Sequence, residues 1–214
     1  MKKEFASKPE KVKQQWEGEF DGHSSWHEVV TQLPQPVFLV TGWKSNGKEN
    51  ACYQSRSAFV GSGGEFICIL SWVPKGGHMY NSLKETGCCV LNFPTRDIAD
   101  KCWKTIENND FETNEITASG LTAEKATKVN APRVKECFLN IECEYLWEQQ
   151  LSPHNSDVAV VAVKAVNICM DSNYYDQSKI GRYGKDGYLY LANSPHNPDT
   201  GEIGDFGFAA LEIY

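Results

Sequence analysis

Several familiar signatures are missing from the sequence. There is no G-x-x-x-x-G-K-[ST], no G-x-G-x-x-G, no G-x-S-x-G and no H-E-x-x-H. These absences remove the phosphate-loop, dinucleotide-fold, serine-hydrolase and zinc-protease readings. No apolar run approaches the roughly 18 residues of a membrane-spanning helix, so no membrane partner is expected. The start, Met1-Lys2-Lys3-Glu4, is polar and has no hydrophobic signal core. Positive charge is in short supply: 21 Lys and Arg face 28 Asp and Glu, a net charge of −7. Sequence-independent binding to nucleic acid needs clustered positive charge, so no nucleic-acid partner is expected. Among the 8 cysteines no pair forms C-x-x-C, and no histidine pairs with one at zinc-ligand spacing. No metal site is expected. Cysteines such as Cys68, set in Phe66-Ile67-Cys68-Ile69-Leu70, read as reduced thiols used as small core hydrophobes in a cytoplasmic protein.

What is present is ordinary globular material. Apolar residues make up 41% and charged residues 23% of 214 positions, which suits one domain with appendages. Residues 1–22 are charged and read as an N-terminal arm or peripheral helix. Ser24-Ser25 offers an N-cap for a helix carrying Trp26, Val29, Val30 and Leu33, which Pro34 and Pro36 stop. The period then changes to that of strands. Val37–Trp43 is β-branched and aromatic, Asn46-Gly47 supplies a tight hairpin turn, and 48–60 returns as a second strand. Gly61-Ser62-Gly63-Gly64 turns into a third strand, 66–73. A short helix over 78–85 ends at Gly87, strand 88–93 follows, and 97–108 is a helix burying Ile98, Cys102 and Ile106. Residues 109–136 cross the surface, with a turn of helix expected near 118–126. Leu139, Ile141, Cys143, Tyr145 and Trp147 alternate with Asn140, Glu142, Glu144 and Glu148, so one face is buried and the other is wet or at a rim. Val158–Met170 is nearly all apolar, a strand covered on both faces. At least six strands with short inserted helices and no βαβ rhythm favour a closed antiparallel barrel.

Two constellations can carry chemistry. In Asn50-Ala51-Cys52-Tyr53-Gln54-Ser55-Arg56-Ser57, residues Tyr53, Ser55 and Ser57 share one strand face. Their hydroxyls can hold a phosphate that Arg56 neutralises, and Asn50 can pair with a heterocyclic edge. A polar-out strand just past a hairpin is the plainer alternative. In Gly76-Gly77-His78-Met79-Tyr80-Asn81-Ser82, two glycines before a helix start allow close backbone approach and an anion site; a simple loop with an N-cap is the alternative.

The order and spacing of these stretches resemble a known family. Pro36–Thr41, Asn50, Ser55-Arg56-Ser57, Asn81–Gly87, Val90–Phe93, Ser119–Thr122 and Ala131–Cys137 look like the flavin reductase-like, FMN-binding split-barrel family, its flavoredoxin branch above all. The resemblance implies a mainly β fold with inserted helices, a six-stranded antiparallel split β-barrel spanning 23–190, with 191–214 as a C-terminal extension. It also implies FMN as cofactor, a homodimer, and no catalytic side chain, because the cofactor carries the chemistry. Asn50 and Ala51 match the segment that meets the flavin ring, and Ser55, Arg56 and Ser57 the strand that follows it. His78, Asn81 and Ser82 match the segment approaching the FMN phosphate and ribityl chain. Arg182, in Ile180-Gly181-Arg182-Tyr183-Gly184, matches a segment closing over the flavin, or forms a plain turn. His154 is either a solvated turn residue or a substitute for a family histidine that aligns with Val158. Arg56 stands where a tryptophan is frequent. Glu115 stands where a flavin-contacting lysine is common, and a carboxylate there would repel phosphate. The expected activity is electron transfer from NAD(P)H through bound FMN to a small-molecule or protein acceptor. The alternative is a non-enzymatic FMN electron carrier docking to a redox protein.

Overall fold

The computed structural model describes residues 2–212, apart from the side chains at positions 22 and 23. The chain forms two units. The smaller is built from residues 2–35 and 190–209, the larger from 36–189 and 210–212. In chain order the main elements begin with helix α1 (Trp26–Thr31) and strands β1 (Gln35–Pro36), β2 (Phe38–Trp43), β3 (Glu49–Gln54), β4 (Ser57–Ser62) and β5 (Glu65–Pro74). Then come α2 (His78–Thr86), β6 (Cys88–Phe93), α3 (Ala99–Glu107), α4 (Glu115–Ala118), β7 (Ala123–Lys125) and β8 (Pro132–Val134). The long strands β9 (Leu139–Ser152) and β10 (Asn155–Met170) follow, with α5 (Ser172–Tyr175), β11 (Leu189–Ala192) and β12 (Gly207–Ala210) last. Among the described residues no helix is long and apolar enough to cross a membrane.

In the smaller unit the Ser25 side chain caps α1 by accepting from the His27 N–H, as the sequence leads one to expect. Val29 is buried, and its carbonyl accepts from the His196 N–H at 2.8 Å.

The larger unit is an antiparallel sheet in the order β3-β2-β6-β9-β10-β5-β4. Its two end strands, β3 and β4, are neighbours in the chain, with only Ser55 and Arg56 between them. Three Cα steps span at most about 11 Å, so the two ends of the sheet must lie side by side and the sheet curls into a barrel. No ladder joins β3 to β4, so the barrel is split along that seam. The single strand expected over 48–60 is therefore two, and the count is seven rather than six because the bent strand breaks at Ser55-Arg56.

Alternation along β2 explains why it is buried on both faces. Phe38 and Val40 point into the barrel with Leu70, Leu91, Ile141 and Val161. Leu39 points outward, into a second cluster with Ile98, Cys102, Ile116 and Val134. Residues 95–137 thus form an outer layer over the barrel wall. This layer corrects the reading of β9. Asn140 and Glu142 are not on a wet face; they are 4% and 0% exposed. Glu142 accepts from the Thr127 and Lys128 N–H groups and from Asn167 Nδ2. Asn140 donates to Asn92 Oδ1 and to the Val134 carbonyl. Two further details differ. The helical turn in the crossing segment lies at α4, earlier than expected. In α3, Thr105 takes the buried place, and Ile106 is half-exposed.

Candidate functional site

The open edge of β3 is where polar chemistry collects. In the β2–β3 register, alternate residues of β3 direct their N–H groups away from β2. Two of these are satisfied by α4 and its flank: Glu49 N–H donates to Asn114 Oδ1 at 3.1 Å, and Ala51 N–H donates to Glu115 Oε2 at 2.7 Å. A helix carboxylate that takes up an edge N–H blocks pairing of that edge with another chain.

Beside this edge lies a cleft of about 290 Å³. Its walls are β3, the end of β5, the start of α2 and the end of α3, with Asn50, Tyr53, His78, Thr105 and Asn109 among the lining residues. Two buried donors lack any partner: Asn50 Nδ2 and the Tyr53 hydroxyl. Each such group costs the fold about 1–3 kcal/mol; Asn50 and Tyr53 lie on opposite faces of β3, and both line the cleft at its edge, where a ligand with acceptors could reach the two. Burial, with a smaller contribution from Cys102, pushes the Tyr53 phenol above its usual range, so it stays a neutral donor. Burial and then Glu115 push the Cys52 thiol up to about 12, which removes it as a thiolate nucleophile.

Helix α2 brings its N-terminus to the same cleft. Gly77 is its N-cap, and no side chain caps it. The first-turn N–H groups and the positive end of the helix dipole are therefore available to an anion. Of the two glycines only the second is sterically constrained. A Cβ on Gly77 would lie 3.2 Å from the Pro74 carbonyl oxygen, whereas Gly76 faces open space.

Glu115 is not a bare charge facing the ligand. Its carboxylate is 1% exposed and pairs with Lys44 Nζ at 2.8 Å. Lys44 is equally buried, and its other two protons go to the carbonyls of Asp110 (2.6 Å) and Thr113 (2.7 Å). The repulsion expected from the sequence is thus neutralised within the wall. The remaining contact of Glu115 is with His78 Nδ1, at 3.3 Å.

The other residues singled out from the sequence lie elsewhere on the larger unit. The Arg56 carbonyl accepts from the Ser71 N–H and hydroxyl, and its guanidinium lies 5.5 Å from the Trp72 ring centroid. Ser57 Oγ is buried without a partner at the start of β4. Asn50, Ala51 and His78 line the cleft together; Ser55, Arg56, Ser57, Asn81, Ser82, His154 and Arg182 are not among its lining. Asn81 is exposed on α2. Ser82 is buried on the opposite side, where α2 meets Gly42 of β2. His154 is exposed in the β9–β10 turn. The Arg182 carbonyl closes a loop by accepting from the Tyr188 N–H at 3.0 Å. Lys44, Thr105 and Asn109 were not read as site residues. Lys44 has no local signal, because its partner lies 71 positions away.

Known proteins resemble the chain in sequence and in fold. An uncharacterized protein of Methanothermobacter thermautotrophicus is 28% identical over 112 residues, and the match spans about half of each chain, 52% and 52%. The nitrilotriacetate monooxygenase component B from Bacillus cereus superposes with a TM-score of 0.75 at 17% identity, covering 100% of this chain and 98% of that one. The flavoredoxin of Desulfovibrio vulgaris (Miyazaki F) superposes with a TM-score of 0.67 at 17% identity, covering 85% and 88%. At these identities the structural likeness is one of fold. A family model for the flavin reductase like domain matches residues 30–184, more than half of the chain, and the protein therefore belongs to the flavin reductase-like family of split barrels.

Proposed function

We propose that the protein is an FMN-binding oxidoreductase that passes electrons from NAD(P)H through the bound flavin to an acceptor. One observation carries this reading: two partnerless buried donors, Asn50 Nδ2 and the Tyr53 hydroxyl, share a cleft with the uncapped start of α2. The donors suit the carbonyl and nitrogen acceptors of an isoalloxazine edge, and the helix start suits a phosphate. Ser57 Oγ, buried and unpartnered, and the Arg56 guanidinium are the strand-side partners proposed for the phosphate. When bound, the flavin supplies hydride and electron transfer. The chain's own residues bind and orient it: Asn50 and Tyr53 donate to the ring, and the Lys44–Glu115 pair closes the wall without adding net charge.

The family resemblance adds a homodimer. Val60, Phe66, Trp147, Leu151 and Ile168 are 38–57% exposed in the single chain, apolar surface that a second copy would cover. Sedimentation of the purified protein as a monomer at micromolar concentration would refute that part.

The reading is tested by the mass of the small molecule released on denaturing purified protein, followed by anaerobic mixing with NADH or NADPH. FMN released and rapid bleaching of the yellow colour support a reductase. A second reading, an electron carrier without NAD(P)H oxidation, is favoured by the net charge of −7, which suits docking to a basic redox partner. Bound FMN whose colour persists with both nicotinamides would select it. Protein that is colourless and takes up no FMN in excess overturns both.

A further inference from the structure

We propose that Glu115 is the positioning residue of the cleft: it holds His78 by Nδ1 and thereby commits Nε2 to a hydrogen-bond donor on the flavin ring or ribityl chain, not to the phosphate. This rests on the flavin reading above.

The argument begins with what Glu115 can do. Its carboxylate is fully buried and held from two sides, by Lys44 Nζ at 2.8 Å and by the Ala51 N–H at 2.7 Å. It has no freedom to follow a moving partner. An ionised carboxylate only accepts, so a neutral imidazole touching it through Nδ1 must carry its proton there. Nε2 is then a bare acceptor, and it is the ring nitrogen left over for the cleft that His78 lines. The imidazole is braced on another side by Phe111, edge-on with ring centroids 5.8 Å apart. A lone pair with a carboxylate behind it repels phosphate oxygens and attracts N–H or O–H groups. In a flavin those are the ring N3–H and the ribityl hydroxyls. Phosphate is left to the backbone of α2 and to Ser57 and Arg56. This differs from the sequence-based expectation, which set His78 toward the phosphate as well as the ribityl chain.

The test compares FMN with riboflavin, which lacks the phosphate, by quenching of flavin fluorescence. His78→Phe should weaken both ligands alike, by about tenfold, the loss of one hydrogen bond. His78→Gln, which keeps an acceptor near the Nε2 position, should recover part of the loss. Glu115→Gln should weaken both in the wild-type background and add less than about twofold in the His78→Phe background. Without any flavin, the nitrogen shifts of His78 should report the Nδ1–H form in the wild type and a tautomer mixture in Glu115→Gln. Weakening of FMN alone, or additive losses in the double variant, would overturn the proposal. So would an Nε2–H imidazole in the wild type. Wild-type protein that binds neither flavin refutes the functional reading too, whereas tight wild-type binding unchanged by His78→Phe refutes this inference alone. Thermal melts of the ligand-free variants show whether each is folded.

Discussion

Removing the Asn50 side chain should move stability and ligand affinity in opposite directions. Asn50 is 2% exposed, and its Nδ2 donates to nothing. A buried donor left in that state costs the ligand-free fold about 1–3 kcal/mol. Asn50→Ala deletes the donor, and the space it leaves opens into the cleft instead of forming a sealed void, so the cavity penalty stays small. The ligand-free variant should therefore be as stable as the wild type or up to about 2 kcal/mol more so. For a chain of this size each kcal/mol is a rise of about 2–4 °C in Tm. Affinity for flavin should fall about tenfold, near 1.4 kcal/mol, because a ring acceptor loses its partner. Scanning calorimetry of ligand-free protein and a fluorescence titration with FMN measure the two effects. A variant destabilised by 2 kcal/mol or more that binds FMN as well as wild type would refute the reasoning and make Asn50 a structural residue.

Three more outcomes follow from the same structure. Lys44→Met leaves Glu115 buried without its counter-ion and should cost about 3–5 kcal/mol in urea denaturation, most of it recovered in a Lys44→Met, Glu115→Gln double variant. For Glu142, burial raises the carboxyl pKa, but N–H bonds from Thr127 and Lys128, with Asn167 and Arg133, outweigh it and the net shift is downward. A depressed folded-state pKa contributes stability above the ordinary carboxylate range near 4.3 and loses it as pH falls below that, so the Tm gap between wild type and Glu142→Gln should shrink between about pH 5 and pH 3. Gly187→Ala would drive a Cβ into the Arg182 carbonyl oxygen, and soluble yield and Tm should both drop sharply, while Gly76→Ala, which meets nothing, serves as the control.

Much of the barrel was legible because it is written in local patterns. Asn46-Gly47 turns the first hairpin, with Gly47 at φ +78°, and Gly87 at φ +69° ends α2. β-Branched and aromatic content located β2, alternation located β9, and unbroken apolarity located β10. What escaped depends on contacts distant in sequence. The outer layer over Asn140 and Glu142 leaves no trace in β9 itself, since a buried carboxylate satisfied by remote N–H groups reads like a solvated one. The same holds for Glu115, whose charge looked hostile to an anion until Lys44 was found against it. Asn50 and His78 were named from residue type and resemblance, and the structure sets both on one cleft. Ile106 was misjudged because α3 turns it toward that cleft and away from the core.

The most direct test of the central claim is a crystal structure of the protein soaked with FMN. The account predicts the isoalloxazine in the cleft between β3 and the start of α2, with Asn50 Nδ2 and the Tyr53 hydroxyl each within about 3.2 Å of a flavin acceptor. Flavin bound elsewhere, or a cleft that excludes it while the protein stays folded, would contradict it.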